Sequence, residues 1–402
     1  MGQDRIVGAI EIGTSKVTVL VAEILGGKSL NIIGTSRATS EGMRKGQIVS
    51  LREVSDCTHA AIAAAEKTSG AQIDSAYLAI SGAHLQGFAD SGVATVSGSD
   101  GIVTEADVRR ARDNAKMRNL PQGRVYIHHE CCGYLLDGRR VADPVGMQGE
   151  RVETGYWHIH GDERITADHL HVVNGIGLNV ECMVVSSIAS ASIVANDDEK
   201  KNGVLVLDIG AGTADYALYR FGNVVRTGVV PVGGDHLTND LAIGLRMNAR
   251  YAESVKLRFG KAVVDNADKN ETVMLIGDLT IGDRPIPRAS IARILHSRVE
   301  ELFMIVKNQL GSEANQQNIP SGVIITGGTS RLPHICDVAQ EVLGVPARTG
   351  TTPEWVTDPE LCVPECATAL GLLSEGFNTR RSSYAEDPDS GWFGKLKGIF
   401  SR

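Results

Sequence analysis

Two short segments of this chain repeat one arrangement of reactive residues. Glu11-Ile12-Gly13-Thr14-Ser15-Lys16 and Asp208-Ile209-Gly210-Ala211-Gly212-Thr213 each place a carboxylate two residues before a glycine, followed by small, glycyl or hydroxyl-bearing residues. β-Prone runs flank both segments, so both read as hairpin turns. Glycine removes the Cβ and lets backbone approach a phosphate closely. Successive N–H groups in such a turn form a concave anion nest, and Thr14, Ser15 and Thr213 add hydroxyl donors. Asp208 and Glu11 repel phosphate but suit Mg²⁺, which keeps much of its water and is commonly held by one or two carboxylates plus phosphate oxygens.

Two further segments complete a nucleotide-binding set. Residues 323–330 run from Val-Ile-Ile-Thr into Gly327-Gly328-Thr329-Ser330, with Pro333 expected in the first turn of a following helix. A bare diglycine offers a flat backbone surface to a nucleoside. Glu253 and Lys256 lie three apart in a helical stretch, hence on one face, where they can grip a ribose and a base.

These residues need a scaffold, and the surrounding pattern supplies one. Residues 6–10 and 17–22 form the first hairpin, 51–68 a helix with Val54, Cys57, Ala61 and Ala65 on one face, and 73–81 a returning strand. Residues 82–161 have a more polar texture, with short strands at 92–97 and 124–128 and a helix from Thr104 to about Met117, as expected of a small inserted α+β subdomain. A strand at 183–186, a helix from 188 and a polar connection at 196–202 lead to the second hairpin. Two carboxylate–Ile–Gly turns, each opening an α/β unit, predict a duplicated, two-lobed fold. Residues 291–310 make an amphipathic helix whose buried stripe is Ile291, Ile294, Leu295, Val299, Leu302, Phe303 and Val306. A helix at 366–373 closes the folded body, and 374–391 reads as a flexible linker.

Bulk composition narrows the function. The formal net charge is −8, which argues against nucleic acid as the main partner. The start of the chain has no signal-peptide pattern, no segment reaches the roughly 20 apolar residues of a membrane span, and the 7 cysteines form no disulfide framework. Together these lead us to expect a cytoplasmic protein. Cys131-Cys132, Cys362 and Cys366 read as small packing residues, and the alternating His158 and His160 as structural residues instead of a metal site.

The ordered motifs resemble the phosphate-1, phosphate-2 and adenosine motifs of the actin, sugar-kinase and heat-shock chaperone ATPase superfamily. Within it the chain resembles the FtsA family from end to end, through Glu11–Lys16, Ile80-Ser-Gly-Ala-His84, Pro144-Val-Gly-Met-Gln-Gly149, 206–215, Gly233-Gly-Asp-His-Leu-Thr-Asn-Asp240 and 324–329. The resemblance implies an actin-like (ribonuclease H-like) α/β fold with subdomain 1A at 1–82 and 162–199 and the FtsA-type inserted subdomain 1C at 83–161. It further implies subdomain 2A at 200–226 and 303–376, subdomain 2B at 227–302, a linker at 377–390 and a membrane-targeting helix at 391–402. ATP and Mg²⁺ are the implied cofactors, bound between the lobes. Gly13, Thr14, Ser15, Lys16, Gly210, Ala211, Gly212, Thr213 and Gly234 would contact the nucleotide together with Glu253, Lys256, Gly327, Gly328 and Thr329, and Asp208 and Glu11 would hold the metal.

The implied function is a non-enzymatic one: polymerisation on the inner face of the cell membrane at the division site, anchoring of the polymer FtsZ through its C-terminal tail, and recruitment of downstream division proteins. The partner surface is expected in 227–302, with Arg284 and Arg288 of the basic loop 284–288 as candidates. Glu11 departs from the Asp usual in actin-like ATPases, as in part of the FtsA family. No residue suggests itself as a general base for an attacking water, so slow hydrolysis at most is expected. A sugar kinase would show a catalytic Asp, and a chaperone would carry a β-rich substrate domain where this sequence reads as linker and tail. MreB and PilM are the structurally nearer alternatives, and the tail argues against them.

That tail is the segment 392–402. With Trp392 at zero on a helical wheel and roughly 100° per residue, Leu396, Ile399, Phe400 and Phe393 fall within one sector, while Lys395, Lys397, Ser401 and Arg402 take the flanks and the far side. A short basic amphipathic helix with Trp and Phe is suited to lie in the plane of an anionic membrane. Each buried large apolar side chain contributes roughly 1.5–3 kcal/mol, offset by about 1–2 kcal/mol per ordered residue. Each Lys or Arg adds about 1 kcal/mol near anionic lipid. One tail therefore binds weakly, and many tails on one polymer bind by avidity. Trp392→Glu is expected to release the chain from anionic vesicles in a flotation assay while leaving ATP binding intact; a variant that still floats places the anchor elsewhere.

Overall fold

The computed structural model describes residues 5–25, 29–265, 271–275 and 283–386. It divides into two compact units, residues 1–81 with 165–194 and 351–402, and residues 82–164 with 195–350. The expected tail, with Trp392, Phe393, Lys395, Leu396, Lys397, Ile399 and Phe400, lies outside the described residues.

The first unit is built on one five-stranded sheet. β1 (Arg5–Ile12), β2 (Lys16–Leu25) and β3 (Ser29–Thr39) form an antiparallel meander. The small hairpin β4 (Met43–Arg44) and β5 (Gln47–Ile48) and helix α1 (Leu51–Ser69) follow, and β6 (Ser75–Ile80) returns parallel to β1. The chain then leaves for an inserted subdomain made of β7 (Gln86–Thr95), α2 (Glu105–Ala115), β8 (Arg124–Leu136), β9 (Arg139–Val141) and β10 (Arg151–Asp162). It resumes the first sheet through α3 (Glu163–Asn174) and β11 (Asn179–Val185), parallel to β6, and continues into α4 (Ser186–Val194). The sheet order is β11-β6-β1-β2-β3.

The second unit opens with α5 (Asp197–Asn202) and the meander β12 (Val204–Ile209), β13 (Ala214–Arg220) and β14 (Asn223–Val230). Helices α6 (Gly234–Gly244) and α7 (Ala249–Phe259), the hairpin β15 (Thr272–Leu275) and β16 (Arg284–Pro287), and the long α8 (Arg288–Leu310) come next. β17 (Val323–Thr326), α9 (Ile335–Leu343) and β18 (Ala347–Thr349) complete it, and α10 (Ala367–Glu386) belongs to the first unit. Its sheet order is β14-β13-β12-β17-β18, the same three-strand meander extended by two parallel strands as in the first unit. The repeated turns are therefore the visible part of a duplicated architecture.

Buried β-branched residues explain both sheets. β12 and β17 are buried almost throughout, and the face of α8 bearing Ile291, Leu295, Val299, Leu302, Phe303 and Val306 closes over the second sheet's core. In the first unit α4 and α10 pack so closely that a Cβ on Gly371 would sit 1.8 Å from the Ala189 carbonyl oxygen. The inserted subdomain is an antiparallel sheet, β7-β10-β8-β9, with α2 on one face. Asp107 caps α2 through Thr104 and accepts from the Ser97 N–H and hydroxyl at 3.1 and 2.8 Å, which holds its carboxyl well below the usual range. The same sheet packs on β14: the buried Trp157 indole N–H donates to Thr227 Oγ1 at 3.0 Å, and the Arg140 guanidinium lies 4.2 Å from the Phe221 ring centroid.

Four expectations are corrected. The polar connection at 196–202 is the helix α5, because Asn196 and Glu199 form a reciprocal capping box with both bonds at 2.9 Å. The helix after the diglycine starts at Ile335, not around Pro333: a 3₁₀ turn, Gly328–Arg331, intervenes and His334 sits at φ 66°. The closing helix continues to Glu386, through residues expected to be linker. The strands of the insertion are long, not short, since β8 spans 13 residues.

Buried histidines set the response to acid. His158 and His169 are almost fully buried and bonded to the carbonyls of Ala115 (3.0 Å) and Ile165 (2.8 Å), and burial lowers both below the ordinary histidine value. His160 is lowered by burial and by the nearby Arg124 and Arg118 charges. A folded-state pKa below the unfolded one means the unfolded chain binds more protons in the interval between them, so stability is present above the unfolded value, about 6.5, and is lost as pH falls below it. Asp107 loses its contribution only in far stronger acid. The melting temperature is expected to fall between pH 7 and pH 5; a constant or rising value contradicts neutral buried imidazoles.

Candidate functional site

In the second unit four segments converge on one turn. β12 and β13 place Asp208 opposite Asp215 and Ile209 opposite Ala214, and the turn closes with the Gly210 N–H donating to the Thr213 carbonyl at 2.8 Å. The Gly210 carbonyl accepts twice, from the Gly234 N–H at the start of α6 and from the Thr329 hydroxyl, both at 2.9 Å. The Ala211 carbonyl accepts from the Asp235 N–H at 2.8 Å. The turn's carbonyls are thus spent on α6 and on the segment after the diglycine. Among the described residues, the N–H groups of Ala211 and Gly212 meet no acceptor.

This convergence leaves no room for side chains. A Cβ on Gly233 would lie 2.6 Å from the carbonyl oxygens of both Gly210 and Ala211. Gly327, at φ 81°, would place a Cβ 2.3 Å from the Asp208 carboxylate oxygen Oδ1 and 2.6 Å from the Ile209 carbonyl. Gly328 then opens the 3₁₀ turn, which the Ser330 hydroxyl fastens by donating to the Gly327 carbonyl at 2.7 Å.

Glu253 and Lys256 of α7 meet as an ion pair at 2.7 Å. The Lys256 ammonium also donates to the Gly234 carbonyl at 3.0 Å and to Thr238 Oγ1 at 2.8 Å, and Thr238 in turn bonds Glu253. Lys256 is mostly buried, whereas the Glu253 side chain is 42% exposed. Lysine therefore ties α7 to α6, and glutamate is the member of the pair that faces outward. Thr238 and Asp215 were not singled out from the sequence. Thr238 lies one helical turn after Gly234, and Asp215 falls opposite Asp208 once the two hairpins are aligned. The Thr213 hydroxyl, expected to face phosphate, donates to the buried Asp215 carboxylate at 2.8 Å.

The first unit carries the matching turn. Glu11 lies opposite Thr18 as Asp208 lies opposite Asp215, and the Gly13 N–H donates to the Lys16 carbonyl at 2.9 Å. A Cβ on Gly13 would lie 2.9 Å from that same oxygen. The Thr14 hydroxyl accepts from the Gly46 N–H at 3.3 Å, Ser15 is exposed, and its carbonyl accepts from the Ser40 N–H at 3.1 Å. The Lys16 ammonium, expected to contact nucleotide, donates to the Glu365 carbonyl. No group of three or more His, Cys, Asp or Glu side chains arranged to hold a metal occurs among the described residues. His158 is bonded to the Ala115 carbonyl and to His129, and His160 to Arg124.

The basic segment 284–288 is not a loop. Arg284–Pro287 is strand β16, paired with β15, and Arg288 starts α8 in an ion pair with Glu271 at 2.5 Å. Arg284 donates to the Leu245 carbonyl and lines a groove of about 500 Å³ with Arg246, Ile286, Arg293 and Ile294.

Comparison with known proteins agrees with this architecture. The family model for "Cell division protein FtsA" matches residues 205–371, and that for the "SHS2 domain inserted in FTSA" matches residues 82–160. The chain is 31% identical over 398 residues to the FtsA cell-division protein of Pseudomonas aeruginosa, covering 95% of this chain and 94% of the relative. It is 31% identical to that of Bacillus subtilis (93% and 84% covered) and 30% identical to that of Escherichia coli K12 (95% and 93% covered). Among solved structures it is similar to the PilM-PilN type IV pilus biogenesis complex, with TM-score 0.61, 17% identity and coverage of 92% of this chain and 97% of the other. It is also similar to MreB5 of Spiroplasma citri bound to AMPPNP, with TM-score 0.56, 13% identity and coverage of 95% and 99%. The fold is therefore actin-like, duplicated, and interrupted by an FtsA-type insertion. Among the described residues no helix is long and apolar enough to cross a membrane.

The tight contact at Gly327 generates a direct test. Gly327→Ala combines a left-handed backbone with a Cβ pressed on the Asp208 carboxylate, and is expected to destabilise the chain by at least about 2 kcal/mol in denaturant unfolding. Gly344→Ala, also left-handed but with open space around its Cβ, is expected to cost only about 1 kcal/mol. Equal effects of the two substitutions would show that the Asp208 contact is unimportant.

Proposed function

The chain belongs to the FtsA family of cell-division proteins, and from that premise we propose that it is an ATP-binding, actin-like polymer subunit that ties FtsZ to the inner face of the cell membrane at the division site. The observation that carries the nucleotide reading is the Gly210 turn, whose carbonyls are engaged by Gly234, Asp235 and Thr329 while the N–H groups of Ala211 and Gly212 are left for an anion. The ligand named with the MreB5 neighbour is a nucleotide analogue, AMPPNP.

The fit of ATP to these residues is supported by the chemistry of the donors and by the cradle that side chains at 233 and 327 would fill. In this reading the amides of Ala211 and Gly212 receive phosphate, Gly210 and Gly234 leave the backbone bare beside them, and Gly13, Thr14 and Ser15 form the equivalent turn of the first unit. Gly327, Gly328 and Thr329 line the nucleoside and Glu253 takes a ribose hydroxyl. Lys256 and Thr213 hold the cradle in shape from behind. Asp208 and Glu11 are the carboxylates suited to Mg²⁺, which would neutralise phosphate charge when bound. Slow hydrolysis at most is part of the same reading. Gly328→Leu is expected to reduce affinity for a fluorescent ATP analogue by about a hundredfold, while circular dichroism keeps its native form. Unchanged affinity in a folded variant removes the diglycine from the site.

The FtsZ contact is proposed for the second unit's basic groove, with self-association and lipid binding through the tail following from the same family reading. Arg288 is paired with Glu271 and Arg284 is tied to Leu245, so Arg246 and Arg293 are the cations best able to meet an acidic peptide. The double variant Arg246→Glu/Arg293→Glu is expected to weaken binding of an FtsZ tail peptide at least tenfold at low salt, with ATP affinity retained. Wild-type peptide affinity in that variant would exclude this groove.

A further inference from the structure

The inserted subdomain carries a second pocket that the nucleotide reading does not use. A cavity of about 750 Å³ lies at the end of its sheet, walled by Gln86 and Phe88 of β7, by Arg118, Leu120 and Pro121 of the loop after α2, and by His160 of β10. That volume falls within the range of small-ligand sites.

The polar groups lining it are arranged for an anion. The Arg124 side chain donates through Nε to His160 Nδ1 at 2.9 Å, and through Nη2 to the His84 carbonyl at 2.8 Å. With Nδ1 accepting, the neutral imidazole carries its proton on Nε2. His160 is more than nine-tenths buried and lines the cavity, and Nε2 meets no partner among the described residues, so its N–H is an unspent donor at the cavity wall. The Arg118 guanidinium lies 4.5 Å from the Phe88 ring centroid, which orients the cation over the same wall while no carboxylate pairs with it among the described residues. Leu120 and Pro121 add apolar surface. Asp90, on β7, and Asp162, beside Arg124, are the acidic groups near this region, and Lys116 adds a third cation.

We propose that this pocket binds a small molecule through an oxyanion, carboxylate or phosphate, received by His160 Nε2–H and the Arg118 guanidinium, with the apolar part of the ligand against Leu120 and Pro121. Arg124 acts as the positioning residue that fixes the imidazole tautomer. The site is separate from the turn at Gly210 and needs no nucleotide.

The test is a titration of the full chain, ¹⁵N-labelled at histidine and held at constant ionic strength, with sodium benzoate in one arm and inorganic phosphate in the other. Saturable movement of the His160 Nε2 resonance by either probe supports the proposal, and the arm that saturates first identifies the oxyanion. Arg118→Gln, a change at an exposed residue, is expected to weaken that probe about tenfold or more, with the affinity of each chain measured from its own unbound His160 resonance. Arg124→Lys is expected to shift the free His160 signals through mixed tautomers. No saturable shift in either arm, or the same affinity in Arg118→Gln, overturns the proposal.

Discussion

Two donors share one oxygen at the centre of the second unit. The Gly210 carbonyl accepts from the first N–H of α6 and from the Thr329 hydroxyl, and this shared acceptor joins a hairpin turn, a helix and the segment after the diglycine. Each bond contributes on the order of 1 kcal/mol net; their arrangement matters more than their sum. With the carbonyls turned inward, the turn presents N–H groups outward. Gly233 and Gly327 permit this because a Cβ at either would overlap the atoms being joined. Behind the turn, Thr238, Glu253 and Lys256 lock α6 to α7, and the α8 stripe backs the whole layer with buried aliphatic surface.

Duplication makes the same local solution available twice and lets the copies diverge. Gly13 and Gly210 close their turns with equivalent bonds, and Glu11 and Asp208 stand at equivalent positions. The partners differ: in the first unit Ser40 and Gly46 engage the turn from a small hairpin region, whereas in the second α6 and Thr329 do so. The insertion is supported through β14, where Trp157 and Thr227 meet in a buried hydrogen bond. A polar pair at that contact costs little because each satisfies the other.

How far the sequence could be read depends on what kind of information each feature carries. Strands such as Val204–Ile209 and Val323–Thr326 are buried on both faces, so their β-branched runs are plain in the sequence, and the paired Ile–Gly turns reveal the repeat. The motif glycines are legible because close approach has no other residue to use. Where a polar side chain sends its bond is not legible. Thr213 could face phosphate or Asp215, and Lys16 could reach a ligand or the Glu365 carbonyl; only the packed structure decides. The helix Asp197–Asn202 is hidden by polar composition, although its Asn196–Glu199 cap was a usable signal. The prolines at 285 and 287 suggest a loop, yet a strand in a two-stranded sheet tolerates proline.

The central claim is that the Gly210 turn holds its carbonyls inward so that the Ala211 and Gly212 amides receive phosphate. The most direct measurement is backbone amide NMR of these two residues in the full chain during titration with AMPPNP and Mg²⁺. The account predicts that both amide protons move strongly downfield with one saturating affinity and gain protection from hydrogen exchange. Saturable binding that leaves the Ala211 and Gly212 amides unmoved would contradict it.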